Sequence, residues 1–547
     1  MFKSSYFYLF LLIGFFASCT STEDQHSNKT SFRYNEFGGI SSLDPAFAKD
    51  QSLIWPCLQM YNGLVSFNEH LEIQPCIAKS WEISTDGLIY LFHLRSDVFF
   101  HRNNLFENTD STRTVCANDF VFSLNRLTSI AVASPGSWVL NSIEKNNVGI
   151  LSGAVPLNDS TLQIKLSNPN PAFLGLLTMP YCSVVPKEVV EHYGNDFRSH
   201  PCGTGPFKFS FWKEGVRLIL LKNENYFRTD SNGKHLPYLD AVEVSFISDK
   251  QSAFIEFLKG NIDFMSGLDA SYKDELLTRN GNLQAKYRNK FVMETEPYLN
   301  TEYLGFMLEP NSDESKMLGD LHIRRALSYS IDRKKMISYL KNNIGIPGNY
   351  GFVPPGIPSF DSTVVGYPYN IQKAKEELKL SGHEEGKGLS GITLSTTGNY
   401  LDLCEFIKNQ WEEIGFKIKI DVNQAAVHRK MVAEKKLAFF RGSWLADYPD
   451  AENYLSLFYT KNFSPNGPNT THFSNKEYDE LFDRSMKETT DSTRFRMYRR
   501  LDQLAIEQAP VIILYYDKVL RLHQNNIQGL KSNAMNLLML ESVKKEN

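Results

Sequence analysis

Hydrophobic and polar positions follow two periods along this chain, and the two change places repeatedly. Leu88–Leu94 is β-rich and follows the turn Thr85-Asp86-Gly87. Asn118–Leu127 keeps the helical period, with Phe120, Val121, Leu124 and Leu127 on one face and Asn118 placed to cap it. Val216–Leu221 and Val242–Ile247 alternate as strands, and Ser252–Leu258 turns helical before Lys259-Gly260-Asn261 closes it. Tyr303–Leu308 predicts an apolar strand. Leu321–Leu340 predicts one long helix, with Ile323, Ala326, Leu327, Ser330 and Ile331 on one side. The Gly/Pro-rich stretch Gly345–Pro358 is a loop. Helices over Asn370–Leu380 and Leu401–Gly415 then interleave with strands over Gly391–Ser395, Phe416–Val422, Leu437–Phe440 and Val511–Leu514. This alternation predicts an α/β layer with parallel crossovers. Asp110-Ser111-Thr112-Arg113 reads as a surface insertion and Gly382–Ser390 as a loop.

The N-terminus carries an address. Lys3 precedes the apolar stretch Tyr6–Phe16, and Ala17-Ser18-Cys19 follows. A charged start, a short apolar core and small residues before a cut make a secretory signal, too short to span a membrane as a helix. Ala17-Ser18-Cys19 resembles a bacterial lipobox, in which Cys19 would be lipidated and become the mature N-terminus; an ordinary signal cut nearby is the alternative. On this reading 1–18 is a lipoprotein signal peptide and 19–33 a tether, its polar tract running from Thr20 to Thr30. No later run of about 18 apolar residues appears, so no second span is expected.

Length and composition narrow the class. The 547 residues suit several domains or two large lobes. At 42% hydrophobic, 22% charged and 13% aromatic, the chain is composed like a globular protein and unlike a disordered one. A net charge of −4 argues against a nucleic-acid binder, which needs a concentrated basic face. Cys57, Cys76, Cys116, Cys182, Cys202 and Cys404 sit among apolar or small residues and read as buried small hydrophobes. Cys182 with Cys202 is the best disulfide candidate in an exported chain.

From Leu43-Asp44-Pro45-Ala46 and Tyr61-Asn62-Gly63-Leu64-Val65 onward, the sequence resembles the family 5 extracytoplasmic solute-binding proteins of ABC importers, of the oligopeptide- and dipeptide-binding type. The likeness continues through Pro75–Glu82, Asp86–Tyr90, Leu94-Arg95, Val98–His101 and Ala117–Leu124. It goes on through Gly203–Phe207, Asn223–Phe227 and Pro237–Asp240. The second half adds Ile323–Leu327 with Ile331-Asp332-Arg333, and Trp444–Asp450. Cys76, Cys116, Phe306-Met307 and the shortened turn Gly345-Ile346-Pro347 depart from the family pattern. The resemblance implies an α/β, two-lobed periplasmic-binding-protein fold with a hinge and an extra subdomain in the first lobe. It places lobe I at 34–297, lobe II at 298–510 and a return to lobe I at 511–547. It also implies no bound cofactor, an ABC permease with its ATPase subunits as partners, and a monomer.

Arg441, Trp444 and Asp447 form the most informative constellation, next to the strand Leu437–Phe440. A strand edge offers backbone groups to an extended peptide; a carboxylate in an enclosed cleft takes an ammonium, and a guanidinium takes a carboxylate. The resemblance implies that Asp447 holds a peptide α-amino group and that Arg441 lies near the ligand's carboxyl end. Asp447 also suits a turn before Tyr448-Pro449-Asp450, and Trp444 suits a pocket wall or the core equally. The resemblance implies that the segment carrying Tyr515 and Tyr516 crosses near the cleft, so that one of them, Tyr516, packs on or hydrogen-bonds the ligand; a plain aromatic on a strand is the alternative. Gly203-Thr204-Gly205-Pro206-Phe207 lacks the Lys-Ser/Thr of a phosphate loop and reads as a rigid turn before a strand. No GxSxG or HExxH occurs, and the twelve His show no i, i+4 pair. The expected function is capture of short peptides for uptake. A nickel chelate, haem or sugar on the same fold stays open, with an exported glycosidase built on Asp447 and Asp450 as the enzyme alternative.

Overall fold

The computed structural model describes residues 30–546 except 108. The signal segment 1–18, Cys19 and most of the tract expected as a tether lie outside the described residues. The last tether residues do not: Ser31–Asn35 is a strand, and Thr30 donates through N and Oγ1 to Asp240. The tether expected to reach 33 therefore stops where the sheet begins.

One mixed sheet runs through the molecule. Its strands lie in the order 418–423, 392–397, 439–445, 291–306, 511–524, 264–266, 31–35, 241–245, 217–222 and 207–213, with Ile346–Pro347 paired onto the fifth. Parallel pairing occurs in both halves: 31–35 against 241–245 and 264–266, and 392–397 against 418–423 and 439–445. Two long antiparallel strands, Phe291–Phe306 and Val511–Gln524, join the halves. Their residues change core along their length. Leu304, Phe306, Ile512 and Leu514 pack with Ile323, Leu327 and Trp411, whereas Phe291, Leu520 and Leu522 pack with Phe254 and Phe257. The fold is thus the two-lobed α/β arrangement expected, with both lobes strung on one pair of strands.

A separate antiparallel sheet in the order 78–83, 89–94, 161–165, 154–158 forms the added part of the first lobe. Ile89–Leu94 buries every second residue, Tyr90, Phe92 and Leu94, as its alternation requires. The turn Gly203–Pro206 is structural. A Cβ at Gly203 would lie 2.1 Å from the Met60 carbonyl oxygen and one at Gly205 2.4 Å from the Met60 carbonyl carbon, so only glycine lets this turn close on the end of the helix Gln51–Met60.

Four expectations are corrected. The helix over 321–340 is two helices, Leu321–Tyr329 and Arg333–Lys341, because Asp332 caps the second and accepts from Lys335 N. The return to the first lobe does not begin at 511, since Ile512 through Tyr516 pack in second-lobe cores. Cys182 and Cys202 are both free and buried, their thiols donating to the Leu176 and His101 carbonyls. Burial raises both thiol pKa values. The 110–113 tract is tied in: Thr112 is buried and donates to the Phe100 carbonyl, and Arg113 bridges Asp119 and Glu188.

Candidate functional site

Strand direction locates the site. Ser266 pairs with Arg521 and Phe264 with His523, so 264–266, and with it 31–35, runs toward the second lobe. Phe306 pairs with Phe439 and Asn300 with Leu445, so 439–445, and with it 392–397, runs toward the first. Carboxyl ends of strands from both lobes converge beside the two long strands, the place where open α/β sheets bind ligands. There the long pair loses register, between Pro297 and Thr301 opposite Lys518 and Tyr516.

Asp447 stands just past the strand Phe439–Leu445 in this zone. Ala446 N donates to the Leu299 carbonyl (2.8 Å), which pins the segment to the register shift. Asn453, buried in the following helical turn, accepts from Trp444 Nε1 at 2.8 Å and from Asp447 N at 3.4 Å. Trp444 and Asp447 are thus brought together through Asn453, a residue whose role sequence reading missed; its only signal was its place in the first turn after the motif. Asp447 keeps solvent access, yet surrounding protein desolvates its carboxyl and raises its pKa, with Asn453 opposing the shift. Among the described residues it enters no ion pair. Across the cleft, burial pushes the Tyr181 phenol up to about 12, and the charges of Asp447 and Asp50 push it the same way. Tyr448, next to Asp447, packs among first-lobe core residues.

Arg441 is placed differently. Alternation puts it on the opposite strand face from Trp444, where it forms a buried ion pair with Glu302. Its guanidinium lies 3.2 Å from the centre of the Tyr400 ring, and its Nε is buried without a hydrogen-bond partner. Desolvation works against the Arg441 charge, but Glu302 and Tyr400 outweigh it and raise the pKa. Burial raises the Glu302 carboxyl pKa more than Arg441 and Asn300 lower it. Tyr516 is fully buried and its hydroxyl donates to the Gly351 carbonyl, so it is a core residue and not a cleft contact. Tyr515 lies on the Arg441 face, with Lys341 Nζ 4.5 Å above its ring and Asp517 paired to Lys341 at 2.9 Å.

Comparison with known proteins places the chain in a family and a fold. The profile of bacterial extracellular solute-binding proteins, family 5 (middle region), matches residues 72–466. Heme-binding protein A of Haemophilus influenzae is 27% identical over 90% of this chain and 88% of its own. The dipeptide-binding protein of Escherichia coli is 24% identical over 86% of each chain. The solved structure of HbpA2 from Haemophilus parasuis superposes with a TM-score of 0.80 at 22% identity, over 94% of this chain and all of that one. The chain belongs to the family 5 bacterial extracellular solute-binding proteins, transport binders and not enzymes, which take a ligand outside the cytoplasm and pass it to an ABC permease.

Proposed function

We propose that this protein captures short peptides in the cleft between its lobes, with Asp447 holding the α-ammonium and Trp444 forming the adjoining wall. One observation carries the reading: Asp447 is a solvent-accessible cleft carboxylate without a cationic partner among the described residues, positioned by Asn453 at the convergence of strand ends, with the surrounding protein raising its pKa by partial desolvation. An ammonium placed there supplies the missing charge, and such pairs strengthen as closure excludes water. The dipeptide-binding relative supports a ligand of this class. Arg441 is already neutralised by Glu302 and takes a supporting role, and Tyr516 none. Closure hinges at the register shift near 298–300 and at Asp517, the ligand favouring the closed state by its contacts to both lobes. Cys19 anchors the protein to a bacterial membrane by a lipid.

Calorimetry with a free tripeptide and its N-acetyl form tests the assignment. Asp447→Asn keeps the shape and removes the charge. Leaving one member of a buried pair uncompensated costs about 3–5 kcal/mol, so affinity for the free peptide falls at least about a hundredfold. The acetylated peptide binds the wild type poorly, and the variant discriminates less between the two. Equal affinities for wild type and variant would leave Asp447 a turn residue. The haem-binding relative makes haemin the second ligand to titrate in that case.

A further inference from the structure

We propose that a cavity confined to the first lobe is a second binding site, for a small carboxylate with an apolar body. The cavity holds about 620 Å³ and is lined entirely by residues between 41 and 198. That size is ordinary for a small-molecule site, which runs from about 300 to 1,000 Å³. Nothing from the second lobe lines it, so it is separate from the strand ends around Asp447.

Its chemistry follows from which charges are spent. Asp44 supplies the one lining carboxylate, and that carboxylate is occupied. Arg126 donates to both its oxygens at 3.0 and 2.5 Å, and Ala46 N donates to Oδ1 at 3.0 Å. The buried pair leaves no free negative charge to hold a cation. Lys49, exposed at the rim, enters no ion pair among the described residues. Arg198 is paired through Nη1 with Glu214 at 2.7 Å, donates to the Ser41 carbonyl at 3.3 Å and lies 5.9 Å from the centre of the Trp212 ring, so its charge is already met. With Arg126 paired to Asp44 and Arg198 to Glu214, Lys49 is the lining charge left without a partner among the described residues, so the unsatisfied charge of the cavity is positive. Phe47, Leu53 and Val132 supply apolar wall. An anionic head at Lys49 with a hydrocarbon or aromatic body against that wall satisfies both halves of the lining.

Octanoate, octylammonium and octanol share one body and differ in charge, and calorimetry on the full mature protein compares them. Octanoate should bind with one-to-one stoichiometry, and the other two at least about tenfold more weakly, a difference of about 1.4 kcal/mol. Lys49→Glu should weaken octanoate about tenfold by replacing attraction with repulsion. Val132→Trp should abolish its binding by filling the cavity, whereas Val148→Trp, on an exposed position outside the lining, should leave it unchanged. Unaltered melting midpoints show that the variants fold. Absence of octanoate binding to the wild type, equal binding of the three probes, or binding indifferent to both Lys49→Glu and Val132→Trp would each overturn the proposal.

Discussion

Arg441 and Asp447 lie on one short segment and have opposite surroundings. Strand alternation turns Arg441 into a buried pair with Glu302, while the end of the strand leaves Asp447 in the cleft without a cation among the described residues. Removing one member of the buried pair strands the other: Arg441→Met should cost about 3–5 kcal/mol in urea unfolding, and adding Glu302→Gln should recover much of it. Equal losses in the single and double variants would mean that packing against Tyr400, and not charge, is what Arg441 supplies. Asp502 offers a second test. It is buried, accepts from Phe352 N at 2.6 Å and Val353 N at 3.4 Å, and burial raises its pKa to about 7. A carboxyl raised above its unfolded value of about 4 adds stability that is complete below that value and is lost as pH rises through about 7. Wild-type stability should therefore fall between about pH 4 and 7 by an amount that Asp502→Asn removes, read from denaturation midpoints of the two proteins.

Secondary-structure elements meet through buried arginines. Arg324 donates to the carbonyls of Leu318, Gly319, Gln508 and Ala509, joining its own helix to the end of Asp491–Gln508. Arg333 donates to the carbonyls of Ser328, Ile331, Ile513 and Tyr367, which fixes the break between the two helices against the long strand 511–524. Burial lowers both guanidinium pKa values to about 10. Arg333→Met keeps the stem and strips several buried carbonyls of donors, at about 1–3 kcal/mol for each left unsatisfied. A stability loss of several kcal/mol with faster amide exchange at Leu514 is expected. Unchanged exchange there would show that the strand is held by its neighbours alone.

The whole molecule is two lobes, each with its own packed interior, threaded by two strands that slip register midway. Bending at one locus lets the lobes approach without disturbing either core, since each is packed to interior density and resists deformation. The proposed lipid anchor at Cys19 has its own test. Cys19→Ala should release the protein from the membrane fraction into the soluble one, with fold and ligand affinity intact. Continued sedimentation with membranes would refute lipid anchoring.

Much of this was legible along the chain. Period-two and period-3.6 stretches marked most strands and helices, because burying one face imposes its own spacing on the residues that supply it. The order of motifs pointed to the two-lobed fold and to Trp444 and Asp447. Other features had no local signature. The first half of the strand Phe291–Phe306 escaped, since its polar residues and Pro297 do not alternate where it leaves one core for the next. The Arg441 partner lies far away at Glu302, and Tyr516 proved to be core because the bulge between Glu302 and Tyr303 resets which face it shows. Sequence spacing carries periodicity within an element; pairing register, charge partners and the direction of strand ends arise only when distant segments are brought together, and those are the quantities that separate an unpaired carboxylate from a neutralised arginine.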